Sequence, residues 1–311
     1  MQNYFVLVTG AGGMIGRRLV PALIEEGHHV IAASRKRIDE FSGIEDHVQG
    51  DLLDEKVRSR ALQGLFRHKE NSVVIHLAGL NNVAACRSNA GDAFNENTIL
   101  TLRILESMKS SGVKRLLFAS TGHVYGQTGT APVAETALPH PFSIYAASKL
   151  AAEALMEVYA KEAAFACEIL RFSNVYGPES PEETAVGTVL SQVAGGAKNI
   201  SVADPFPIRD FIYIDDAVHA MRLLLRQELC PGCRVTNVST GTATSIGQLV
   251  NEALVAGGGV PQSFNNIVSE DRLLLSNAVL KTRTGWSPRY SLSAGLKACL
   301  QETKKGLLRE K

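Results

Sequence analysis

Tyr145 and Lys149 stand four residues apart in Ser143-Ile-Tyr145-Ala-Ala-Ser148-Lys149. Side chains at that spacing share one face of a helix. A phenol ordinarily titrates at about 10, too high for acid–base work near neutrality. A lysine charge beside it favours the phenolate and lowers that value. The pair is thus equipped to give a proton to a reacting oxygen, or to take one. A hydroxyl at the end of a neighbouring strand would hold that oxygen, and Ser120-Thr121 closes the apolar run Arg115–Ala119. Taken alone, Tyr-x-x-x-Lys recurs by chance as an exposed tyrosine beside a solvated lysine. Its meaning comes from what precedes it.

A Gly-rich turn, Gly10-Ala-Gly-Gly13-Met-Ile-Gly16, lies upstream. The apolar, β-favouring run Tyr4–Thr9 predicts a buried strand before it. Apolar residues at helical spacing in Arg17–Ile24, stopped by Gly27, predict a helix after it. Strand, glycine turn and helix are the setting of a dinucleotide site. The glycines let the backbone approach a pyrophosphate, and the helix N-terminus stabilises its charge. A second strand, His29–Ala33, runs into Ser34-Arg35-Lys36-Arg37. An acid placed near Ser34 would bind the ribose 2′-hydroxyl of NAD, whereas a cationic cluster suits the 2′-phosphate of NADP. Ser34 and Arg35 therefore point to NADP(H), with NAD as the alternative; a solvated loop of ordinary surface charge is the bland reading.

The elements that must position these residues alternate. Strands are predicted at Val73–Ala78, Arg115–Ser120 and Cys167–Phe172, and helices at Asn97–Met108 and from Ser148 to about Ala164. This βαβ order predicts an α/β fold, a doubly wound parallel sheet. After Pro178 the texture changes: Pro, Gly and acidic residues cluster at Glu179–Glu183, and Ala203-Asp-Pro-Phe-Pro207 makes a second break. The expected division is a Rossmann domain over 1–176, with 211–240 returning to it, and a smaller α/β substrate domain over 177–210 and 241–311.

Bulk properties bound the rest. The chain has 311 residues and a net charge of +1, which gives no sign of a nucleic-acid or anionic-membrane partner. No apolar run reaches membrane-spanning length, and no basic segment precedes an apolar one near Met1, so a cytoplasmic protein is expected. Five cysteines are too few and too odd in number for a disulfide framework. Cys230-Pro-Gly-Cys233 is a CxxC without a second CxxC or His pair in the sequence, so it reads as two incidental loop cysteines and no metal is expected.

The stretches Thr9-Gly-Ala-Gly-Gly-Met-Ile-Gly16, Gly50-Asp51, His76-Leu-Ala-Gly79, Ser120-Thr-Gly-His-Val-Tyr-Gly126, Tyr145-Ala-Ala-Ser-Lys149, Arg171-Phe-Ser-Asn-Val-Tyr-Gly-Pro178 and Arg209-Asp-Phe-Ile-Tyr-Ile-Asp215 resemble the extended short-chain dehydrogenase/reductases. More narrowly, they resemble the nucleotide-sugar epimerase, dehydratase and reductase group, in family order from about residue 4 to Pro288. The resemblance implies Gly10, Gly13, Met14 and Ile15 around the pyrophosphate, Asp51 and Leu52 beside the adenine, and Leu77, Ala78 and Gly79 on the ribose side. It implies Thr121 as the catalytic hydroxyl, with Tyr145 and Lys149 as the acid/base pair. Asn174 would contact the sugar or its diphosphate, and Arg209 the diphosphate. A homodimer through the helices at 97–108 and 148–164 is also implied.

Two departures narrow the activity. Related 4,6-dehydratases carry Asp-Glu between the catalytic Thr and Val-Tyr-Gly; this chain has Gly122-His123. Dehydration is therefore disfavoured, and His123 either shapes the pocket or acts as an extra acid/base group. The family's Arg-Pro-Gly-Asp stretch near the C-terminus is replaced by Ser269-Glu-Asp-Arg-Leu-Leu-Leu275. The leading expectation is an NADP(H)-dependent 4-ketoreductase of a nucleotide-linked 4-keto-6-deoxysugar. The alternatives are a nucleotide-sugar C4 epimerase with tightly held NAD, a dehydrogenase of a sugar or small alcohol, and a non-catalytic cofactor-binding protein.

Overall fold

The computed structural model of the protein describes residues 3–309, apart from 229, 266 and 268. The chain folds as two compact units: Met1–Gly126, Leu138–Arg171 and Met221–Thr236 in the first, and Gln127–Ala137, Phe172–Ala220 and Asn237–Lys311 in the second.

Seven strands build the central sheet: β1 (Phe5–Thr9), β2 (His29–Ser34), β3 (Asp46–Gln49), β4 (Ser72–His76), β5 (Arg115–Thr121), β6 (Ala166–Phe172) and β7 (Gly232–Val238). Their order is β7-β6-β5-β4-β1-β2-β3, and β1 pairs in parallel with both β2 and β4. Val6, Leu7 and Val8 are fully buried, as are Val73, Val74 and Ile75. Strands covered on both faces have no use for polar alternation, which is why they read as continuous apolar runs. The chain leaves β1 toward β2 on one side, and β4 lies on the other. Ligands of doubly wound sheets bind at this switch point, beyond the carboxyl ends of the strands.

Three helices carry the candidate site. Helix α1 (Met14–Glu25) buries Leu19, Val20 and Leu23, and the chain turns away at Gly27 with φ of 83°. Helix α2 (Leu100–Ser111) follows a π-helical turn at Asn95–Ile99, so the predicted helix at 97–108 is two kinds of helix. Helix α3 (Ile144–Ala163) starts four residues before the predicted Ser148, because Ser143 caps it by accepting the Ala146 N–H at 3.1 Å. That earlier start puts Tyr145 in the first turn.

In the second unit, Asn174–Tyr176 pairs in parallel with Phe211–Tyr213, and Ile208–Arg209 lies between Thr244–Ser245 and Arg272–Leu273. Buried carboxylates tie its loops. Asp210 accepts from Ser173, from both the N–H and hydroxyl of Thr240, and from the Gly241 N–H. Asp216 accepts the N–H groups of Arg289 and Tyr290, while the indole N–H of the buried Trp286 donates to the Asp216 carbonyl at 3.1 Å. Among the described residues no helix is long and apolar enough to cross a membrane.

Candidate active site

The glycine turn is shaped by close approach. Gly10 has φ of 68°, and a Cβ there would meet the Ala78 nitrogen at 2.7 Å. At Gly16 it would meet the carbonyl oxygens of Gly10 and Ala11 at 2.6 Å. The two glycines thus let α1 and the chain after β4 crowd the end of β1. Gly13 is the N-cap of α1, no side chain caps the helix, and its first turn holds no acid. An uncapped helix N-terminus with open glycine backbone suits a diphosphate. Met14 and Ile15 are the first helical residues. Across the switch point, Leu77 N–H donates to the Thr9 carbonyl at 3.2 Å, and Gly79 takes φ of 155°. Gly50 N–H donates to the Ser34 carbonyl at 3.0 Å, Asp51 caps the following turn through the Leu53 N–H, and Leu52 is buried. These residues fit a dinucleotide.

Thr121, Tyr145 and Lys149 come together in the same unit. The Thr121 hydroxyl bonds the Tyr145 phenol, favouring the phenolate, and also accepts the His123 N–H at 3.2 Å. Lys149 Nζ donates to the Ala119 carbonyl at 2.9 Å and sits 4.7 Å from the centre of the Phe118 ring. The electrostatics differ from the sequence expectation. Burial pushes Tyr145 up to about 12, against the opposing Thr121 bond, and Lys149 is not what sets its titration. Lys149 is itself pulled down to about 8 by burial, despite the nearby Glu153 carboxylate. For both side chains desolvation is the largest cause. The Ser120 hydroxyl is turned to Glu153, to which it donates. His123 is half-buried, its ring edge-on to Tyr145 at 6.4 Å.

Sequence reasoning missed the residues that hold this group. Asn97 is fully buried in the π-helical turn. Its amide accepts the Leu80 N–H at 2.8 Å and donates to the Leu80 carbonyl and to Ser148 Oγ, both at 2.9 Å. Such turns mark functional sites, and a buried polar side chain must find partners. His76 is buried between two threonines. Thr101 Oγ1 donates its one proton to the Asn97 carbonyl at 2.6 Å, so His76 Nε2–H donates to Thr101 Oγ1 at 3.2 Å. In the neutral ring Nδ1 is then the acceptor, and it takes the proton of Thr9 Oγ1 at 2.7 Å, while Thr9 Oγ1 accepts the Ala78 N–H. One neutral imidazole therefore wires the glycine turn to Asn97. Burial, with the Lys149 charge adding, pulls His76 down to about 3. Behind Thr121, Glu153 takes a two-pronged bond from Arg171, which also covers the Tyr125 ring at 4.7 Å.

The cationic run after β2 is more balanced than its sequence. Ser34 Oγ donates to the Lys36 carbonyl at 2.5 Å, so His47 Nε2–H donates to Ser34 Oγ at 2.9 Å. Arg35 pairs with Glu96, Arg37 with Asp39 and Arg60 with Asp46. A cavity of about 790 Å³ opens here, lined by Arg35, Arg37, Ile38, His47 and Arg60 among others. The other two predicted ligand contacts belong to the second unit. Asn174 donates its N–H to the Asp210 carbonyl at 2.9 Å. Arg209 is committed to Asp271, side chain at 2.9 Å and carbonyl at 3.1 Å, and to the Ile208 carbonyl. Arg272, at the place of the missing family stretch, donates to the Ser269 carbonyl.

Comparison with known proteins agrees with this geometry. A putative UDP-glucose 4-epimerase of Methanocaldococcus jannaschii is 28% identical over 298 residues, covering 94% of this chain and 96% of the relative. The crystal structure of a UDP-glucose 4-epimerase with UDP-glucose from Thermotoga maritima superposes with a TM-score of 0.85 at 29% identity, covering 97% and 99% of the two chains. RMD from Pseudomonas aeruginosa, complexed with NADPH, gives a TM-score of 0.80 at 25% identity over 98% and 100%. The model of the NAD dependent epimerase/dehydratase family matches residues 6–238. With its glycine cradle at the switch point and its Thr, Tyr and Lys drawn together beside it, the chain belongs to the NAD dependent epimerase/dehydratase family.

Proposed function

We propose that the protein is a nucleotide-sugar C4 epimerase that works with NAD. The observation that carries this reading is the buried Thr121–Tyr145 hydrogen bond, with Lys149 one helical turn on, beside an uncapped helix N-terminus. A bound nicotinamide would supply the hydride acceptor and donor. Tyr145 Oη takes the proton of the sugar 4-hydroxyl as it becomes a ketone, and returns it when the opposite face is reduced. Thr121 orients that oxygen and, through its bond to the phenol, favours the phenolate, with Lys149 one helical turn on. Asn174 and Arg209 serve the sugar and its diphosphate, and a homodimer forms through α2 and α3. Neither residue 122 nor 123 is a carboxylate, so water elimination lacks its acid and base.

Two findings support the epimerase over the ketoreductase that the sequence alone favours. The relatives and structural neighbours include UDP-glucose 4-epimerases over nearly the whole chain. Arg35 and Arg37, which pointed to a 2′-phosphate, face Glu96 and Asp39, and these carboxylates offset part of the run's positive charge. The NADPH-dependent ketoreductase stays as a second reading, because Ser34 stands where an acid would mark NAD. Mass spectrometry of nicotinamide released from the purified protein, with NMR of UDP-hexoses incubated with it, separates the two. Retained NAD and interconversion at C4 support the epimerase. Loosely held NADPH, with reduction of 4-keto sugar nucleotides and no interconversion, refutes it.

A further inference from the structure

Ser34 ends β2, the place from which an acid accepts the ribose 2′-hydroxyl in NAD sites. It stands against the glycine turn: a Cβ at Gly12 would lie 3.5 Å from the Ser34 Cβ. The side chain is buried, and two neighbours fix it. Its hydroxyl donates to the Lys36 carbonyl at 2.5 Å, a local bond of the kind serine makes in turns. Strand β3 supplies the second neighbour. Ala32 pairs with His47 and Ser34 with Gln49, so His47 and Ser34 share one face of the sheet. There His47 Nε2–H donates to Ser34 Oγ at 2.9 Å. His47 also lines the cavity of about 790 Å³, together with Gln49 and Gly50. A serine hydroxyl has one proton and two lone pairs. The proton and one lone pair are taken, so Ser34 can accept one more bond and can donate none. In this it behaves as a carboxylate does, without the charge.

We propose, resting on the NAD reading of this site, that Ser34 selects the dinucleotide by accepting the ribose 2′-hydroxyl as an uncharged stand-in for the acid, with His47 as its positioning residue. The 2′-hydroxyl brings the donor that Ser34 Oγ lacks. Near neutral pH a 2′-phosphate is mostly a dianion and offers acceptors only. It would set oxygen against oxygen, unless Ser34 gave up the Lys36 carbonyl and left that group without its bond. Arg35 and Arg37, each already facing a carboxylate, draw a phosphate the other way, so the selectivity is the difference between the two effects. His47 holds the Ser34 rotamer; without its N–H the hydroxyl is freer to turn toward a phosphate.

The test reads binding, not turnover. The full-length protein is dialysed against NAD and NADP in equal amounts until the bound mixture stops changing, and the bound nucleotides are quantified by mass spectrometry. The parent is expected to hold mainly NAD. Ser34→Ala lowers the ratio of NAD to NADP about 2–10-fold, the value of one hydrogen bond, whereas Ser34→Asp keeps NAD in excess. His47→Phe lowers the ratio as well, and His47→Gln, whose amide N–H takes the place of Nε2–H, restores it. A parent holding mainly NADP would overturn the NAD reading and the Ser34 assignment with it. NAD in the parent, with an unchanged ratio in Ser34→Ala, would overturn the Ser34 assignment alone. Equal ratios in the parent and His47→Phe, or a glutamine variant as low as the phenylalanine one, would show that His47 only fills space. If Ser34→Ala fails to fold, the two His47 variants carry the test.

Discussion

Tyr145 and Lys149 are both driven toward their neutral forms by the same burial, one up to about 12 and the other down to about 8. Replacing Tyr145 by Phe removes the proton carrier and should lower turnover by about 10²–10⁴-fold while leaving nucleotide binding in place; unchanged turnover in a steady-state assay would point to a non-catalytic protein. For Lys149 the folded value lies below the unfolded one. The unfolded chain therefore binds more protons between about pH 8 and 10.5, and stability rises with pH across that window. Below it, the buried charge costs up to roughly 3 kcal/mol. Lys149→Met should melt higher than the parent at pH 7, and the gap should narrow as pH rises through that window. His76 titrates with the same sign in acid. Its folded value of about 3 lies below 6.5, so its contribution is whole above pH 6.5 and is lost as pH falls toward 3. Chemical denaturation across that range should show a slope in the parent, bounded by about 5 kcal/mol, that His76→Gln lacks. The Tyr–Lys pair was legible because its spacing is itself the signal. Its electrostatics were not, because burial is a property of neighbours far away in sequence.

Strands β1, β4 and β5 could be read from their apolar runs, since both faces are covered, and β6 despite Glu168 and Arg171 within it. Strand β3 escaped, with His47 and Gln49 among its four residues. The start of α3 escaped because Pro141-Phe142-Ser143 reads as a loop, although Ser143 is a sound cap. The π-helical turn has no sequence period of its own, and Asn97 sits among other polar residues in Asn95-Glu-Asn-Thr98, so nothing marked it. The Glu153–Arg171 pair joins α3 to β6, with both side chains about one-twentieth exposed. Glu153→Gln leaves the guanidinium charge uncompensated and should lower stability by about 3–5 kcal/mol. Gly16→Ala puts a methyl against two carbonyl oxygens and should abolish nucleotide binding, measured by calorimetry, before it abolishes folding.

At the scale of the whole molecule, Val158 on α3 is half exposed, and Phe94 and Ile99, just before α2, are also uncovered. A second copy docking through these helices would cover them; light scattering at micromolar concentration should give twice the chain mass of 33.4 kDa, and Val158→Arg should halve it. The alternation of strands and helices made the sheet legible, but nothing in the composition of 127–137 marks it as part of the second unit. The two units are woven from six alternating stretches of chain. During synthesis β6 is made at residues 166–172, and its neighbour β7 only at 232–238. For all the residues between, β6 has no partner on that side, and an unpaired, apolar strand edge invites pairing with other chains. Non-local pairings of this kind also close slowly. The nascent protein therefore passes through a stage in which most of its sheet exists but its edge is bare, and chains truncated between 172 and 232 belong in the aggregate rather than in solution.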